Sequence, residues 1–250
     1  TDFSVINHGK VADDDIACIF FTSGSTGTPK GVEIPHRAIV RLCLNNNFMS
    51  LSHKDIFCHL SNVAFDASNL EIWGSLLNGA CLLQIDNETL LTPSLFAECV
   101  EKENPTTTVI TTSLFNLLVH FKADVFKDFR TVMFGGEAAD NTACNLCVTH
   151  GKPQHLINVY GPTENGTYST FYRIDSIQDG NIPIGNIVSN SEAYVLDNHQ
   201  QLAAIGVIGE LIVGGEGVAV GYRGRSDLTV EKFLPNTLSG KGQLYRTGDL

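Results

Sequence analysis

Strand-like and helix-like segments alternate along residues 16 to 160, and this alternation limits the fold more than any other feature of the sequence. Short apolar runs such as "IACIFFT", "IFCHLS" and "TVMF" alternate with segments of helical period such as "HRAIVRLCLNNN" and "LFNLLVHF". The helix predicted for "TPSLFAECVEKEN" has Thr92 as its N-cap and Pro93 at its first position. Such a chain builds parallel strands joined by helical crossovers. We therefore predict an α/β fold with layered, mostly parallel sheets and flanking helices, with ligands at the carboxyl ends of the strands.

The pattern changes after residue 165. The segments "TYSTFYRI", "EAYVLD", "GELIVGG" and "VAVGY" are predicted as short strands separated by Gly, Asn and Asp turns, and the next helix predicted is "DLTVEKF". This pattern indicates a small β-rich part that resembles a barrel or a sandwich. We therefore predict an α/β part at residues 15–165 and a β-rich part at residues 166–250.

Composition narrows the function classes. With 43% apolar and 17% charged residues among 250, the chain can bury a core, and its net charge of -11 argues against nucleic acid and anionic membranes as partners. No run of 18 apolar residues occurs. The seven irregularly spaced cysteines favour a reduced, cytoplasmic setting. A metal at Cys144 and Cys147 is disfavoured because no second pair completes a tetrahedral site.

A loop of small hydroxyl residues and glycines follows the first predicted strand. Its glycines allow close approach of the backbone to a ligand, while its amides and hydroxyls can donate to phosphate oxygens. Lys30 adds a positive charge, but the spacing is not that of a Walker A loop. The alternative is a flexible hairpin or linker. We predict a phosphate-binding loop formed by Thr22, Ser23, Gly24, Ser25, Thr26, Gly27 and Lys30.

The segment "YGPTE" at residues 160–164 has the chemistry of an ATP site. Tyr160 offers a ring for stacking on adenine, and Gly161 turns the chain after the strand "LINV". Thr163 can donate to the α-phosphate, and Glu164 can hold Mg²⁺, which prefers carboxylate and phosphate oxygens. The alternative is a plain turn. Asp249 lies in a "TGD" turn, where it is either a nucleotide ligand or an ordinary turn residue.

Together these motifs resemble the adenylate-forming enzymes, which include adenylation domains of non-ribosomal peptide synthetases, acyl- and aryl-CoA ligases and luciferases. The resemblance rests on "TSGSTGTPKGV", "FDASNLEIWGSLLNGA", "FGGEA", "NVYGPTE", "GELIVGGEGVAVGYRGRSDLTVEKF" and "YRTGDL", which occur in the order of the family and span nearly the whole chain. It implies that the chain is the core of the large N-terminal domain of such an enzyme. It also implies that both ends of that domain, and the C-terminal lid with its lysine, lie outside residues 1–250.

The resemblance also assigns roles to residues. Thr163, Glu164 and Lys30 form the catalytic set, in which the loop that contains Lys30 guides the β- and γ-phosphates and Glu164 holds Mg²⁺. The alternative for Lys30 is a solvated lysine at the end of a loop. Lys30 does not correspond to the lysine of the lid. The adenine and ribose are expected to contact Gly136, Glu137, Asn158, Tyr160, Gly161 and Asp249.

Asp66 distinguishes the branches of the family. A carboxylate before an apolar helix is ordinarily an N-cap. In the peptide-synthetase version of "FDASNLEIWGSLLNGA", however, this aspartate pairs with the α-ammonium group of the substrate, and Phe65 gates the carboxylate side of the pocket. The resemblance therefore favours an amino-acid adenylation domain. An acyl- or aryl-CoA ligase and a non-catalytic nucleotide-binding fragment remain as alternatives.

The same resemblance predicts the amino-acid pocket and the reaction. Asp66 is the only charge in the predicted pocket, so we expect a neutral, mostly apolar amino acid as substrate. The amino acid would be activated by ATP as aminoacyl-AMP and passed to the phosphopantetheine thiol of a carrier protein. The implied partners are the carrier and condensation domains of one synthetase. The predicted lining is Phe65, Asp66, Ala67, Leu70, Val109, Met133, Gly135, Val159, Thr167 and Tyr168.

Overall fold

The computed structural model describes residues 9–23 and 28–250, and its centre is a seven-stranded, mostly parallel sheet. The first five strands across the sheet are parallel, the sixth runs antiparallel to them, and the seventh pairs antiparallel with the sixth. In order across the sheet they are β4 (Cys81–Gln84), β3 (Ile56–His59), β5 (Thr107–Thr111), β6 (Thr131–Gly135), β7 (His155–Tyr160), β8 (Thr170–Arg173) and β9 (Asn186–Ile187). The predicted α/β class is confirmed.

Both faces of this sheet are covered, which explains why its central strands are almost continuously apolar. Val109, Met133 and Ile157 point to one face, where they join a hydrophobic cluster with the first two helices. Val132 and Phe134 point to the other face, where the next helices pack. The helices are α1 (His36–Cys43), α2 (Ala67–Leu77), α3 (Asn87–Leu91), α4 (Pro93–Glu103), α5 (Thr112–Phe121), α6 (Asn141–Gly151) and α7 (Ser226–Lys232), with a 3₁₀ turn at Thr163–Asn165.

Two smaller antiparallel sheets complete the fold. One contains β1 (Ile16–Thr22), β2 (Lys30–Pro35) and β12 (Gly221–Tyr222). The other has the order β10 (Ser191–Leu196), β11 (Glu210–Gly215), β14 (Gln243–Arg246) and β13 (Phe233–Pro235).

One sequence prediction about these elements needs correction. The strand β1 is not in the parallel sheet: it forms a hairpin with β2, with Thr22 opposite Lys30. The β-rich part predicted at residues 166–250 stays a prediction; within it, β8 and β9 extend the large sheet. Helix α3 and the strands β13 and β14 had no clear periodic signal, since each has only three to five residues.

Candidate functional site

Two neighbouring cavities open at the carboxyl ends of the parallel strands. Their volumes are about 480 Å³ and about 450 Å³, and they share the residues Gly136, Val159 and Gly161. We name them the Asp66 cavity and the Tyr160 cavity after a residue that lines each one. Their position agrees with the expectation that ligands of such sheets bind where the strands end.

The Asp66 cavity gathers eight of the ten residues predicted for the amino-acid pocket. They come from the start of α2, the ends of β5, β6 and β7, and the segment after the 3₁₀ turn. The rest of the lining is mainly apolar and is supplied by elements that follow β3, β4 and β5. The predicted members present are Phe65, Asp66, Ala67, Val109, Gly135, Val159, Thr167 and Tyr168; the additional ones include Leu60, Ser61, Leu90, Leu91, Thr111 and Leu114.

Leu70 and Met133 were predicted in the pocket lining, and the structure places them elsewhere. Both side chains have 0% exposure and lie in the hydrophobic cluster beneath the cavity. Leu70 is one helical turn beyond Asp66 on α2, and Met133 is two residues before Gly135 on β6, so each lies one layer deeper than the lining residue it follows. They support the cavity wall but do not form it.

Asp66 is partly exposed at the cavity wall, and its carboxyl group has no cationic partner among the described residues. Asp66 precedes α2, but its side chain makes no capping hydrogen bond, so its interpretation as a helix cap is not supported. Burial raises the pKa of the Asp66 carboxyl, a hydrogen bond with the Thr163 side chain lowers it, and the nearby Glu164 charge raises it again. A carboxylate in this setting attracts a cationic ligand group.

Glycine at position 135 is required by a close backbone contact. A Cβ atom at Gly135 would lie 2.1 Å from the carbonyl oxygen of Val159 on the neighbouring strand. No side chain fits that space without moving β6 or β7. The sequence analysis predicted Gly135 as a lining residue and did not identify this constraint.

A buried acid holds the loop that follows β3, which forms another part of the cavity wall. Glu71 on α2 has 0% exposure and lies 2.6 Å from His59 Nδ1. It also accepts hydrogen bonds from the backbone amide of Ser61 at 3.1 Å and from its hydroxyl at 2.8 Å. Burial raises the pKa of Glu71, while these hydrogen bonds lower it. The loop is therefore fixed by contacts from the helix that begins next to Asp66.

The Tyr160 cavity contains all six residues predicted for adenine and ribose binding. The hydroxyl of Tyr160 donates a hydrogen bond to Asp249, and burial followed by this contact raises the pKa of Tyr160. Asn158 is buried and donates to the carbonyl oxygen of Pro183 at 3.0 Å. The predicted residues are Gly136, Glu137, Asn158, Tyr160, Gly161 and Asp249, and Ile182 and Ile184 add apolar contact area.

Lys30 and Glu164 meet although 134 residues separate them in sequence. Lys30 Nζ lies 3.7 Å from Glu164 Oε1 and 4.5 Å from the centre of the Tyr222 ring. The Tyr222 hydroxyl donates to Glu164 at 2.6 Å and lies 3.3 Å from the Tyr245 hydroxyl. Burial, and then the neighbouring Glu164, raise the pKa of Tyr222. The hairpin β1–β2 thus brings the end of the predicted phosphate loop to the "YGPTE" segment.

The remaining members of the predicted phosphate loop are only partly described. Thr22 ends β1, and Ser23 is exposed immediately after it. Gly24, Ser25, Thr26 and Gly27 lie outside the described residues.

Residues 9–23 and 28–250 offer no evident metal site. In this part of the chain no group of three or more His, Cys, Asp or Glu side chains is arranged to hold a metal ion. Cys144 and Cys147 lie on the buried face of α6, where they join the hydrophobic cluster on that side of the sheet. Burial raises the pKa of each thiol to about 12. None of the helices described combines the length and hydropathy needed to cross a membrane.

Comparison with known proteins identifies the family. A family model described as AMP-binding enzyme matches residues 4–223, and the chain belongs to that family. It is 42% identical to a segment of bacitracin synthase 1 of Bacillus licheniformis, over 94% of this chain and 4% of that protein. It is also 41% identical to a segment of malpibaldin synthetase of Mortierella alpina, over 94% of this chain and 4% of that protein.

Solved structures agree with this assignment. The chain superposes with a TM-score of 0.89 on holo-PA1221, described as a non-ribosomal peptide synthetase (NRPS) protein containing adenylation and PCP domains, with 34% identity over 95% of this chain and 42% of that one. The Klebsiella oxytoca NpsA N-terminal subdomain, in complex with 3-hydroxybenzoyl-AMSN, superposes with a TM-score of 0.86. The two are 32% identical, and the match covers 96% of this chain and 62% of that one. The chain therefore spans a small part of its curated relatives and about half of these structures.

Three residues near the site were not found from the sequence. Tyr222 and Tyr245 lie within motifs that were recognised, but no role was given to them. Arg41 lies on the inward face of α1, three residues after the buried Ala38. A charged residue at an inward position of an amphipathic helix was the signal that could have identified it.

Proposed function

We propose that the chain is the core of an adenylation domain that activates a neutral, mostly apolar amino acid as aminoacyl-AMP with release of pyrophosphate. The observation that carries this proposal is the partly desolvated carboxyl of Asp66, which lines a mostly apolar cavity and has no cationic partner in the described part of the chain. An α-ammonium group supplies the missing charge. A ligand with no amine leaves this carboxyl unpaired, so its binding does not offset the desolvation of the carboxylate.

In this proposal the Asp66 cavity holds the amino acid and the Tyr160 cavity holds the nucleotide. Because the two cavities share Gly136, Val159 and Gly161, an adenylate can extend from one to the other through this junction. Tyr160 would stack on adenine, and Asp249 would exchange its hydrogen bond with Tyr160 for the ribose hydroxyls. The reaction is in-line attack of the amino-acid carboxylate on the α-phosphate, which requires no protein nucleophile.

The residues around Glu164 suit the phosphates and a magnesium ion. Mg²⁺ commonly uses one or two protein carboxylates together with substrate phosphates, and the single carboxylate of Glu164 fits this requirement. When bound, the ion would neutralise phosphate charge. Lys30 would move from Glu164 towards the phosphates, since its present contact at 3.7 Å is a long one.

The proposed partner domains are inferred from the longer proteins that this chain resembles. Bacitracin synthase 1 and malpibaldin synthetase are far longer than this chain, and PA1221 carries a PCP domain. We infer that the activated amino acid is transferred to the phosphopantetheine thiol of a carrier domain in a synthetase that also contains condensation domains.

The test is amino-acid-dependent exchange of labelled pyrophosphate into ATP. It uses the chain extended by its flanking sequence in its own protein, called the complete domain below. We expect exchange with one or a few neutral amino acids. Exchange that depends on an amine-free carboxylic acid, with none for any amino acid, would favour an acyl- or aryl-CoA ligase. Nucleotide binding without any exchange would favour a non-catalytic nucleotide-binding protein.

A further inference from the structure

Arg41 is a buried arginine that contacts no carboxylate among the described residues. Its residue exposure is 3%, and its helix, α1, lies outside both cavities. Burial lowers the pKa of its guanidinium to about 10. A buried charge without a counter-ion is costly, so its contacts must compensate for the loss of water.

Nearly all of those contacts are carbonyl oxygens of the segment 165–168. Nη2 donates to the carbonyls of Asn165, Gly166 and Tyr168 at 2.9 Å each. Nη1 donates to the Tyr168 carbonyl at 2.9 Å and to the Ser191 hydroxyl at 2.8 Å. The fork of donors in arginine can satisfy several acceptors in one plane, which the single ammonium of lysine cannot reproduce.

The residue enclosed by these contacts has a strained backbone. Thr167 has φ +76°, a left-handed conformation that is rare for a β-branched residue. Its hydroxyl donates to the carbonyl oxygen of Asp66 at 3.1 Å, and its side chain lines the Asp66 cavity. Such a conformation persists only where the surroundings fix it.

The packing around the guanidinium is also specific. A Cβ atom at Gly217 would lie 2.6 Å from Arg41 Nη2 and 2.7 Å from the Asn165 carbonyl oxygen. Gly217 therefore leaves the space that the guanidinium occupies between α1 and the segment 165–168. The nucleotide side of the site has separate support, since the Glu164 carbonyl accepts from Ala219 and its carboxylate from Tyr222.

We propose that Arg41 is a positioning residue that holds Thr167 and Tyr168 in the wall of the Asp66 cavity and thereby sets the affinity for the amino acid. It acts through the carbonyl oxygens of the segment 165–168 and contacts no substrate. This inference rests on the proposed amino-acid activation. It predicts a selective effect, because Thr167 and Tyr168 line the Asp66 cavity, whereas Glu164 has further contacts with Ala219 and Tyr222.

The test is Arg41→Lys in the complete domain, with KM measured separately for the amino acid and for ATP by pyrophosphate exchange. We expect the KM for the amino acid to rise about tenfold or more, and the KM for ATP to change by less than about threefold. The matched control is Arg37→Lys, one turn earlier on the same helix, where the arginine pairs with Asp14 at the surface and donates to the Glu216 carbonyl at 2.7 Å. We expect this control to leave both constants unchanged.

A second substitution separates positioning from simple stabilisation. In a Thr167→Gly background the left-handed conformation is unstrained, so Arg41→Lys should raise the KM for the amino acid much less than it does beside Thr167. If Arg41→Lys does not fold, Gly217→Ala displaces the guanidinium more mildly and should give the same selective effect. Equal changes in both KM values, or no change, would overturn the inference. Absence of amino-acid-dependent exchange in the wild type would instead overturn the proposed function.

Discussion

Replacement of Asp66 by asparagine tests the proposed recognition of the amino group most directly. The substitution keeps the size of the side chain, removes its charge, and replaces one acceptor oxygen with an NH2 donor. In the structure this charge has no cationic partner among the described residues and lies in the wall of a cavity of about 480 Å³. We expect Asp66→Asn to impair amino-acid activation strongly and to leave ATP binding nearly unchanged.

The expected magnitude follows from the burial of the pair. Removal of one partner of a buried ion pair costs about 3–5 kcal/mol. At about 1.4 kcal/mol for each factor of ten, kcat/KM for the amino acid should fall by about 100- to 5,000-fold. The assay is pyrophosphate exchange with the complete domain, with ATP affinity measured separately by calorimetry.

The same substitution should stabilise the protein without substrate. The pKa of the Asp66 carboxyl is raised in the folded state, so the folded state binds its proton more tightly than the unfolded state does. The ionised carboxyl therefore makes no unfavourable contribution to the free energy of folding below its pKa in the unfolded state. That contribution grows as the pH rises above this value and is complete above the pKa in the folded state. Asp66→Asn should raise the Tm at pH 7, and this gain should shrink as the pH falls towards the range of an ordinary carboxyl.

An authentic helix cap serves as the control. Asp140 accepts a hydrogen bond from the Thr142 amide at the start of α6, so Asp140→Ala should cost about 1 kcal/mol of stability with no effect on the KM for the amino acid. If Asp66→Asn behaves like Asp140→Ala, with lower stability and normal activation, then Asp66 is only a helix cap. The proposed pairing with the amino group would then be wrong.

Three other outcomes are expected. Gly135→Ala should destabilise the fold by about 1–3 kcal/mol in urea unfolding, because its Cβ would lie 2.1 Å from the Val159 carbonyl oxygen; unchanged stability would contradict the backbone constraint. Among the twenty amino acids, the complete domain should prefer a neutral one, since the described residues place no second charge in the lining of the Asp66 cavity; a preference for Asp, Glu, Lys or Arg would reject the pocket assignment. The 250-residue chain alone should make little aminoacyl-AMP, because the family's lid lysine is expected outside it; robust pyrophosphate exchange by this chain would refute that expectation.

The sequence determined the class of the fold, because that class depends on local periodicity. The parallel strands are apolar on both faces and alternate with helices of clear period, so the layers could be predicted without coordinates. The motifs also indicated most of the site, since "YGPTE" and "FGGEA" each follow a strand of the parallel sheet. Strand ends of one such sheet must lie together at one edge.

The tertiary structure decided which residues reach the cavity surface. Leu70 and Met133 have the right neighbours in sequence, but their depth depends on the packing of α2 against the sheet. Lys30 meets Glu164 because β1 and β2 form a hairpin, and β2 was not predicted as a strand from the sequence.

The contacts of Arg41 are the clearest example of an arrangement that the sequence alone could not predict. The sequence places this arginine on an apolar face of α1, which says only that its charge must be compensated. Its acceptors are carbonyl oxygens 124 to 127 residues away, presented by a segment whose strained Thr167 has no sequence signature. Backbone acceptors are identical in every residue type, so only the folded chain could determine which of them the guanidinium binds.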